Sequence, residues 1–522
     1  MSEEQKRLLE AQLWGIANLL RNKISPDDYR DYILGFIFFK YLSEKQNLYA
    51  NELLVGEEVT EYTNVKDAET LAAIKEESLL KLGYFLEPSQ LFSVITAKGN
   101  ANTETESNYI LEDLQSVLNH IEMSTMGTES EDDFNALFED LDLNSNKIGR
   151  TVSARNEIIV QILNYLDKID FKLDEIDADV LGDAYEYLIA RFAAGAGKSA
   201  GEFYTPQQVS KVLSKIVTTG KTKIKSAYDP TCGSGSLLLR ITKEAEVSEF
   251  YGQELNRTTY NLARMNMLLH NIHFQDFDIR QEDTLEHPQH LDKRFEAIVA
   301  NPPFSAHWKS DANPLNSTDE RFSQYGRLAP RTKADYAFLQ HMLYQLADNG
   351  IMASIFPHGV LFRGAAEGDI RKYLISELNV LDAVIGLPAN IFYGTSIPTC
   401  ILVLKKCRQA DDNVIFIDAS GEENFKKEGN QNVLEDKDVE RIVNAYRNRV
   451  EEERYSHIAT LAEIAENDYN LNIPRYVDRF VEEEDIDLEE VTTAIKQTRE
   501  ELNDVYAEIA DYCQQLNIPT PF

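Results

Sequence analysis

The sequence predicts an α/β protein in which a helical N-terminal domain precedes a doubly wound, mostly parallel seven-stranded sheet, and a helical tail follows. Three observations predict this fold class. Apolar residues recur at helical spacing through the first 170 residues. From about residue 221, short apolar runs alternate with amphipathic stretches, as they do when strands and helices alternate around a parallel sheet. After about residue 420, the chain turns polar and acidic.

The N-terminal region, residues 1–170, is predicted to be a domain of packed helices. Its first helical stretch, LLEAQLWGIANLLRNK, places on one face Leu9, Leu13, Ile16 and Leu20. The tetrapeptide SPDD at residues 25–28 supplies a start signal for a second helix, YRDYILGFIFFKYLSEK. Taken alone, these residues indicate a domain for packing or for docking a partner.

The central region, residues 171–430, is predicted to contain the sheet. The predicted strands cover residues 224–228, 249–252, 277–280, 295–300, 351–356, 380–387 and 399–405. The predicted helices cover residues 237–245, 256–270, 333–346 and 367–378. The segment PANIFYGTSIP joins the last two strands without a helix, so we expect a hairpin and one antiparallel strand near the edge of the sheet.

The C-terminal region, residues 431–522, is predicted to be helical. One helix is expected in NVLEDKDVERIVNAYRNRVEEER, and a long amphipathic segment extends from Val481 to Leu516. Its narrow apolar seam is formed by Ile486, Leu488, Val491, Ile495, Leu502, Val505 and Ile509. A charged helix with such a seam is typical of a helix that docks on a partner or forms a coiled coil.

The composition of the 522-residue chain restricts its functional class. A net charge of −36 disfavours non-specific binding to nucleic acid, so a DNA-handling role requires a local basic groove or a basic partner. No apolar run is long enough to cross a bilayer, and the first residues lack a secretory signal. The four cysteines form no C-x-x-C pair, which indicates a reduced, cytoplasmic protein that needs no metal.

The stretch AYDPTCGSGSLLLR lies where a predicted strand ends and a helix begins. Gly233 and Gly235 allow a tight turn that brings backbone N–H groups close to a ligand. A dinucleotide site needs a third glycine, but Leu238 stands there, so a nucleoside without a pyrophosphate is favoured. Asp229 suits a cationic group, such as the amino group of a methionine moiety. A lone G-x-G turn is more often structural, but the strand–turn–helix context and the preceding D-P favour a functional turn.

Two further acids follow predicted strands. Glu254, in YGQELN, stands 25 residues after Asp229, where an acid is placed to bind ribose hydroxyls. The alternative is a helix N-terminal region capped by Asn256, and the two interpretations are compatible. Asp283, in QEDTL, follows the third strand at a position from which an acid can meet an adenine amino group, although a lone Asp in a loop is a weak signal.

The stretch AIVANPPFSAHW is the most specific signal in the sequence. Its strand ends in Asn301-Pro302-Pro303-Phe304, and the two prolines fix φ and remove two backbone donors. The Asn301 side-chain oxygen and the Pro302 carbonyl can both accept hydrogen bonds from one planar NH2 group, while Phe304 stacks on the ring that carries it. The alternative is a strand-ending N-P turn without chemistry. The DPTCGSGS stretch in the same domain favours the catalytic interpretation.

These motifs resemble those of amino-methyltransferases that use S-adenosylmethionine, whose N6-adenine DNA branch carries D-P-x-x-G-x-G and [DN]-P-P-[FYW]. The order GEFYTP, DPTCGSGS, GQELN, NPPF is similar to the gamma arrangement of these enzymes. The chain also resembles, over nearly its whole length, the modification (M) subunit of type I restriction–modification systems. That resemblance is carried by LWGIANLLRNK, GEFYTPQQVSKVL, TTYNLARMNMLLHNI, KADYAFLQHML and NDYNLNIPRYV.

The resemblance implies a Rossmann-like methyltransferase domain at residues 171–430 and a site-specific DNA adenine N6-methyltransferase that uses S-adenosyl-L-methionine. Cofactor contacts are then expected at Glu202, Phe203, Tyr204, Thr205, Pro206, Gln207, Asp229, Thr231, Gly233, Ser234, Gly235, Ser236, Glu254 and Asp283. The target pocket is expected at Asn301, Pro302, Pro303 and Phe304. Cys232 is assigned no chemistry, because a buried thiol fits where many relatives have alanine.

The resemblance also implies partners. Two M subunits assemble with one specificity (S) subunit, which reads the DNA site, and a restriction (R) subunit can join the complex. The N-terminal helices are expected to close around double-stranded DNA, and the C-terminal region to dock on helices of the S subunit. The acidity of this chain fits such a complex, because the S subunit can supply base-specific contacts and much of the phosphate contact. No membrane contact is expected.

Three alternatives stay open from the residues alone. The N-P-P-aromatic pocket does not separate a DNA adenine from an RNA adenine or a protein glutamine. The GAGKS sequence at residues 195–199 suggests a P-loop ATPase or translocase, but Phe192 stands where that motif needs its first glycine. A P-loop also follows a strand, whereas DAYEYLIARFAA predicts a helix. An inactive methyltransferase scaffold is disfavoured by the intact DPTCGSG and NPPF stretches.

Overall fold

The computed structural model describes residues 3–20, 26–100, 108–173, 179–195, 205–392, 395–429, 431–479 and 487–522. The chain divides into two compact units, Met1–Val477 and Asp478–Phe522. Within the described ranges, no helix is long and apolar enough to span a bilayer. In the same ranges, no group of three or more His, Cys, Asp or Glu side chains is arranged to hold a metal ion.

The N-terminal part of the first unit is helical, which confirms the prediction. Its helices are α1 (Glu3–Leu20), α2 (Pro26–Leu53), α3 (Ala68–Lys81), α4 (Phe92–Gly99), α5 (Leu111–Ser124), α6 (Glu131–Phe134), α7 (Val152–Asp167) and α8 (Asp179–Gly195). The predicted apolar face of α1 is buried at Leu9, Leu13, Ile16 and Leu20. Helix α2 is buried on several sides, with Phe36, Phe38 and Phe39 inaccessible to solvent, so it forms the centre of this helical layer.

Most of the strands that follow form one large sheet. They are β1 (Lys223–Asp229), β2 (Glu246–Glu254), β3 (Phe277–Gln281), β4 (Phe295–Ala300), β5 (Leu346–Pro357), β6 (Leu381–Gly386), β7 (Thr399–Lys405), β8 (Val414–Asp418), β9 (Lys426–Glu428), β10 (Gln431–Val433) and β11 (Ser456–Ala459). Nine of them pair in the order β11-β8-β6-β7-β5-β4-β1-β2-β3, while β9 and β10 form a separate hairpin. Five of the eight neighbouring pairs in the large sheet are parallel.

Helices cover both faces of this sheet. They are α9 (Gln207–Val217), α10 (Ser236–Arg240), α11 (Arg257–Leu269), α12 (Asp335–Gln345), α13 (Ala366–Ser376), α14 (Asp436–Asn448) and α15 (Leu461–Glu466). Successive side chains of β4 enter two different cores, Ala297 and Val299 on one face and Ile298 and Ala300 on the other. The doubly wound α/β class is therefore confirmed.

The sheet is larger than predicted. All seven predicted strands are present, and β8 and β11 extend the sheet on the β6 side. The hairpin predicted at PANIFYGTSIP is also confirmed, since β7 runs antiparallel to both β5 and β6. The antiparallel strand β7 was expected near the edge of the sheet. It lies inside the sheet instead, because β8 pairs with the far side of β6 and β11 pairs with β8.

The strand order reverses at β1, which lies between β2 and β4. In open parallel sheets, such a reversal leaves a crevice beyond the carboxyl ends of the strands, and ligands bind there. The stretches singled out by sequence follow the strands on either side of this point. The topology therefore brings them to one edge of the sheet.

Helix α11 connects this edge to the N-terminal helices. It begins three residues after β2 ends, and its buried Arg264 donates through Nη1 to the carbonyl oxygens of Asp132 and Asn135, at 2.9 and 3.0 Å. Near the start of the helix, the Thr258 hydroxyl donates to the Asp140 carboxylate at 2.7 Å. These contacts fix α6 and the loop after it against the helix that leaves the end of β2.

The second unit consists mainly of α16 (Leu488–Gln515), a helix of 28 residues. The carboxylate of Asp487 caps it by accepting hydrogen bonds from the N–H groups of Glu489 and Glu490. The predicted apolar seam is exposed at Leu488, Val491, Ile495, Leu502 and Val505, whereas Ile486 lies outside the described residues. The predicted C-terminal helix is confirmed. The domain boundary at residue 430 stays a prediction, and α14 and β11 lie in the first unit.

Candidate functional site

A cleft of about 870 Å³ opens at the carboxyl ends of β1 to β4. Residues predicted to form the site line it together, namely Thr231, Glu254, Asp283, Asn301 and Pro303. Arg30 of α2 also lines this cleft, so the N-terminal helices contribute to its wall. Sequence reasoning did not single out Arg30, because nothing in α2 distinguishes it from a solvated charge.

The turn after β1 depends on its two glycines. Gly233 and Gly235 have φ angles of +55° and +78°, in the left-handed region that other residues avoid. A Cβ on Gly235 would also lie 3.2 Å from the Met267 side chain. The Asn266 amide, buried in α11, donates to the Ser234 carbonyl at 3.0 Å. The turn is therefore held both by its own backbone conformation and by the neighbouring helix.

Asp229 is a buried acid at the end of β1. Its Oδ1 accepts the Thr231 N–H at 2.9 Å. Burial, opposed by the Thr231 hydrogen bond and assisted by the nearby Glu254 carboxylate, raises the pKa of Asp229 to about 8. An uncharged Asp229 at neutral pH would become ionised if a cationic group were bound beside it.

Glu254 joins the end of β2 to the turn after β1. Its Oε2 accepts the Gly233 N–H at 3.0 Å and its Oε1 accepts the Asn256 N–H at 2.8 Å. Burial raises the pKa of Glu254 above its ordinary value. The Asn256 side chain caps α11 by accepting the Thr259 N–H at 3.0 Å. The capping interpretation of YGQELN is therefore confirmed, and it is compatible with a site interpretation in which Glu254 faces the cleft.

Asp283 sits in a loop that a second residue holds in place. Its Oδ1 accepts the N–H groups of Leu285 and Glu286 at 2.9 and 3.2 Å. Arg321 is a buried residue that stands more than thirty positions later in the chain. It donates hydrogen bonds to the carbonyl oxygens of Thr284 and Leu285 at 3.1 and 2.8 Å. Arg321 therefore positions the loop of Asp283. No local pattern singles out Arg321 in the sequence, since it stands in an irregular polar segment.

The N-P-P-F stretch follows β4 and meets the GEFYTP stretch. The Asn301 side-chain amide donates to the Thr205 hydroxyl at 3.2 Å. The side-chain oxygen of Asn301 therefore points away from Thr205. Phe304 packs edge-on against Phe392, with ring centroids 5.8 Å apart. Pro303 lines the cleft, and Pro302 is buried. Two motifs nearly one hundred residues apart in sequence are thus joined by one hydrogen bond.

A buried acid holds the chain directly after Phe304. Ser305 has a left-handed φ of +52°, and its N–H donates to Asp335 Oδ1 at 2.9 Å. The other oxygen of Asp335 accepts a hydrogen bond from Arg363 at 2.7 Å, and Arg363 also binds Glu367. Asp335, Arg363 and Glu367 therefore form a clamp on the N-P-P-F loop. The KADYAF stretch was recognised as a motif, but the role of Asp335 was not predicted.

Part of the predicted cofactor site lies outside the described residues, namely Glu202, Phe203 and Tyr204. Gln207 begins α9 and Pro206 precedes it, accepting the Ser210 N–H on its carbonyl at 3.0 Å. Helix α8 extends to Gly195, so a helix precedes GAGKS where a P-loop would require a strand.

Comparisons with known proteins agree with this geometry. The model of the N-6 DNA methylase family matches residues 176–485, and that of the HsdM N-terminal domain matches residues 9–166. The chain belongs to the N-6 DNA methylase family. The first match spans the sheet and every described site residue from Thr205 to Phe304, and the second spans most of the N-terminal helices.

Individual relatives place this N-6 DNA methylase among the methylase subunits of type I restriction enzymes. The MpnII methylase subunit of Mycoplasma pneumoniae is 37% identical, over 99% of this chain and 97% of the relative. The MjaVIII methylase subunit of Methanocaldococcus jannaschii is 29% identical, over 96% and 83%. The crystal structure of a type I methyltransferase subunit from Streptococcus thermophilus is 41% identical, with a TM-score of 0.83 over 91% and 100%. The resemblance inferred from the motifs is therefore confirmed.

Proposed function

We propose that this N-6 DNA methylase is a site-specific adenine N6-methyltransferase and the modification subunit of a type I restriction–modification complex. Its substrates are S-adenosyl-L-methionine and an adenine flipped out of double-stranded DNA. The observation that carries the proposal is the meeting of the D-P-T-C-G-S-G turn, Glu254 and the N-P-P-F loop at one cleft. The first two suit a nucleoside with a cationic side chain, and the third suits a planar amine.

The residues of the cleft fit S-adenosyl-L-methionine, which supplies a reactive methyl group on a positively charged sulfur when bound. Asp229 would hold the amino group of the methionine part, since a buried carboxyl with a raised pKa gains most from a cationic partner. Glu254 would accept hydrogen bonds from the ribose hydroxyls and Asp283 from the adenine amino group. The remaining predicted contacts are Glu202, Phe203, Tyr204, Thr205, Pro206, Gln207, Thr231, Gly233, Ser234, Gly235 and Ser236.

The target base is held by the N-P-P-F loop. An adenine amine is unreachable inside the duplex, so the base rotates out of the stack and into the cleft. The Asn301 side-chain oxygen and the Pro302 carbonyl accept its two N–H groups, and Phe304 stacks on its ring. The same two oxygens stabilise the positive charge that develops on N6. Positioning supplies much of the rate, and the proton leaves late, so no general base is needed.

The proposed complex contains two copies of this chain and one S subunit, and an R subunit can join it. The relatives from Mycoplasma pneumoniae and Methanocaldococcus jannaschii, both methylase subunits of type I restriction enzymes, support this assignment. The exposed apolar seam of α16 docks on helices of the S subunit, and the N-terminal helices close around the DNA. Sequence recognition by the S subunit is consistent with the net charge of −36 on this chain.

A direct test is methyl transfer from radiolabelled S-adenosyl-L-methionine by the chain purified together with its S subunit. We expect label in double-stranded DNA, as N6-methyladenine at one bipartite sequence. Mapping methylated adenines in the source genome with and without the gene would identify that sequence. Label in RNA or in a protein glutamine, and none in DNA, would contradict the proposal and favour the alternative substrates of the same pocket.

The buried carboxyl of Asp229 makes a prediction about pH. Because its pKa is raised to about 8, it is protonated at neutral pH in the ligand-free chain and must ionise when the cofactor amino group binds. We expect cofactor affinity to rise by up to about tenfold per pH unit between about pH 6 and 8. Above about pH 8 the affinity falls, because the amino group of the cofactor loses its proton.

Titration calorimetry in buffers with different heats of ionisation measures this proton directly. Near pH 7, we expect cofactor binding to the wild-type protein to release close to one proton. The Asp229→Asn variant should release fewer protons, and its cofactor affinity should no longer rise with pH below pH 8. Asp283→Asn, which removes a carboxylate from the adenine side of the cleft, serves as the control and keeps the rise. An Asp229→Asn variant with an unchanged pH profile would refute the assignment of the amino group to Asp229.

A further inference from the structure

A long irregular segment separates β4 from α12. This segment, residues 305–334, is called the excursion; it contains three short 3-10 turns and no α-helix or β-strand. Its two ends are paired, because the Trp308 N–H donates to the Arg331 carbonyl and the Trp308 indole N–H to the Pro330 carbonyl, both at 3.0 Å. Structured loops of this length are uncommon in compact domains and usually have a function.

The excursion is fixed to the cofactor side of the cleft. Arg321 donates to the two backbone carbonyls beside Asp283, as described above. Asn313 donates through Nδ2 to Glu286 Oε2 at 3.0 Å, and the Lys309 N–H donates to the other oxygen of Glu286 at 3.3 Å. These hydrogen bonds hold the excursion in place as one wall of the cleft. The excursion begins directly after Phe304, which is proposed to stack on the target base.

Two exposed cations stand on the outer surface of this wall in a strongly acidic chain. The side chains of Lys309 and Arg331 are 61% and 63% exposed, and they line a second hollow of about 560 Å³. Asp283, His307 and Trp308 border both this hollow and the cofactor cleft, so the two spaces adjoin. Two cations thus stand next to the opening through which a target base would enter.

Neither cation is held by a close ion pair. Lys309 Nζ is 3.7 Å from the Glu286 carboxylate and Arg331 Nε is 4.0 Å from that of Asp311, both beyond hydrogen-bond distance. The exposed Arg331–Asp311 pair contributes little to stability. The buried Glu286 keeps its hydrogen bonds from Asn313 and the Lys309 N–H when the Lys309 ammonium group turns away, so a phosphate can replace either carboxylate at small cost. Arg327, also on the excursion and 62% exposed, has a shorter pair with Asp369 at 3.2 Å and is absent from the lining of the hollow.

We propose that Lys309 and Arg331 bind the DNA phosphates that flank the flipped adenine. The inference rests on the proposed function. When a base rotates into the cleft, its two phosphates remain in the backbone and must lie at the mouth of the pocket. A chain with a net charge of −36 repels phosphates elsewhere, so local cations favour their binding at this point. The excursion supplies these cations, and Arg321 holds it in register with the cofactor loop.

The test is the salt dependence of DNA binding by the complex of this chain with its S subunit, in the presence of the cofactor. For the double variant Lys309→Ala/Arg331→Ala, we expect the slope of log affinity against log salt to become smaller by about 1.8, because each lost phosphate contact removes about 0.9. Cofactor affinity measured without DNA should stay at the wild-type value, which shows that the variant is folded.

Arg327→Ala is the matched control, since it removes the same charge from the same segment. It should keep the wild-type slope. An unchanged slope in the double variant, or a decrease of about 0.9 in the Arg327→Ala variant, which is the full effect of one lost phosphate contact, would overturn the proposal. These outcomes are distinct from failure of the proposed function, in which the wild-type complex itself would methylate no DNA.

Discussion

Replacing Asn301 with alanine is expected to lower the rate of methyl transfer by about 10²- to 10³-fold, the usual effect of removing one preorganised group that stabilises charge in a transition state. Alanine offers no oxygen to the target amine, and it also loses the hydrogen bond that orients Asn301 against the Thr205 hydroxyl. The rate should be measured in a single turnover with radiolabelled cofactor, so that product release does not limit it. Binding of the cofactor and of the S subunit should be unaffected, because neither is assigned to Asn301.

Asn301→Asp is the informative companion of this variant. Aspartate keeps the accepting oxygen but cannot donate to Thr205, so it should retain more activity than alanine. The family pattern [DN]-P-P-[FYW] allows either residue at this position. A wild-type single-turnover rate in the Asn301→Ala variant would show that the target amine is held by other groups, and the proposed role of Asn301 would be wrong.

Asp335→Ala is expected to have the second large effect, on both activity and stability. The substitution leaves the Ser305 N–H without its acceptor and leaves the partly buried Arg363 with one carboxylate instead of two. Breaking a buried ion pair costs about 3–5 kcal/mol in the free energy of unfolding. Release of the loop beside Asn301 and Phe304 should lower kcat by about 10²-fold, since small displacements of positioned groups have effects of this size.

Two variants separate positioning from stability in this clamp. Glu367→Gln weakens the other ion pair of Arg363 without touching Ser305, so it should lower the denaturation midpoint while kcat stays close to wild type. Asp335→Asn keeps an oxygen for the Ser305 N–H and should restore much of kcat but less of the stability. If Glu367→Gln lowers kcat as far as Asp335→Ala, then Asp335 has no specific positioning role.

The sheet was predictable where its strands are apolar and bounded by turns. The strands β4 and β7 have the predicted bounds, because FEAIVA and TCILVLK are buried on both faces and read as uninterrupted runs. The strand β8 is equally buried, but VIFID is short and stands where the chain is turning polar. The strand β11 is only SHIA, and its pairing with β8 depends on tertiary contact rather than on local pattern. These two strands move β7 into the interior of the sheet.

The site was predictable to the extent that its residues stand at strand ends. Glu254 and Asn301 could be placed together because parallel strands deliver their carboxyl ends to one edge. Arg321 and Asp335 could not, because each acts on a loop far from it in sequence and reaches it through a buried contact. A buried arginine in an irregular segment and an aspartate at the start of a helix have the same local appearance as solvated residues.

The anchoring of α11 has a consequence for regulation. The helix leaves the end of β2 directly beyond Glu254, and its side chains hold the N-terminal helices through Asp132, Asn135 and Asp140. Arg30 from those helices borders the same cleft. We therefore expect a partner that favours one position of the N-terminal helices to change cofactor affinity, in which case the cofactor changes the affinity for that partner by the same factor. Each tenfold change in affinity corresponds to about 1.4 kcal/mol of coupling free energy.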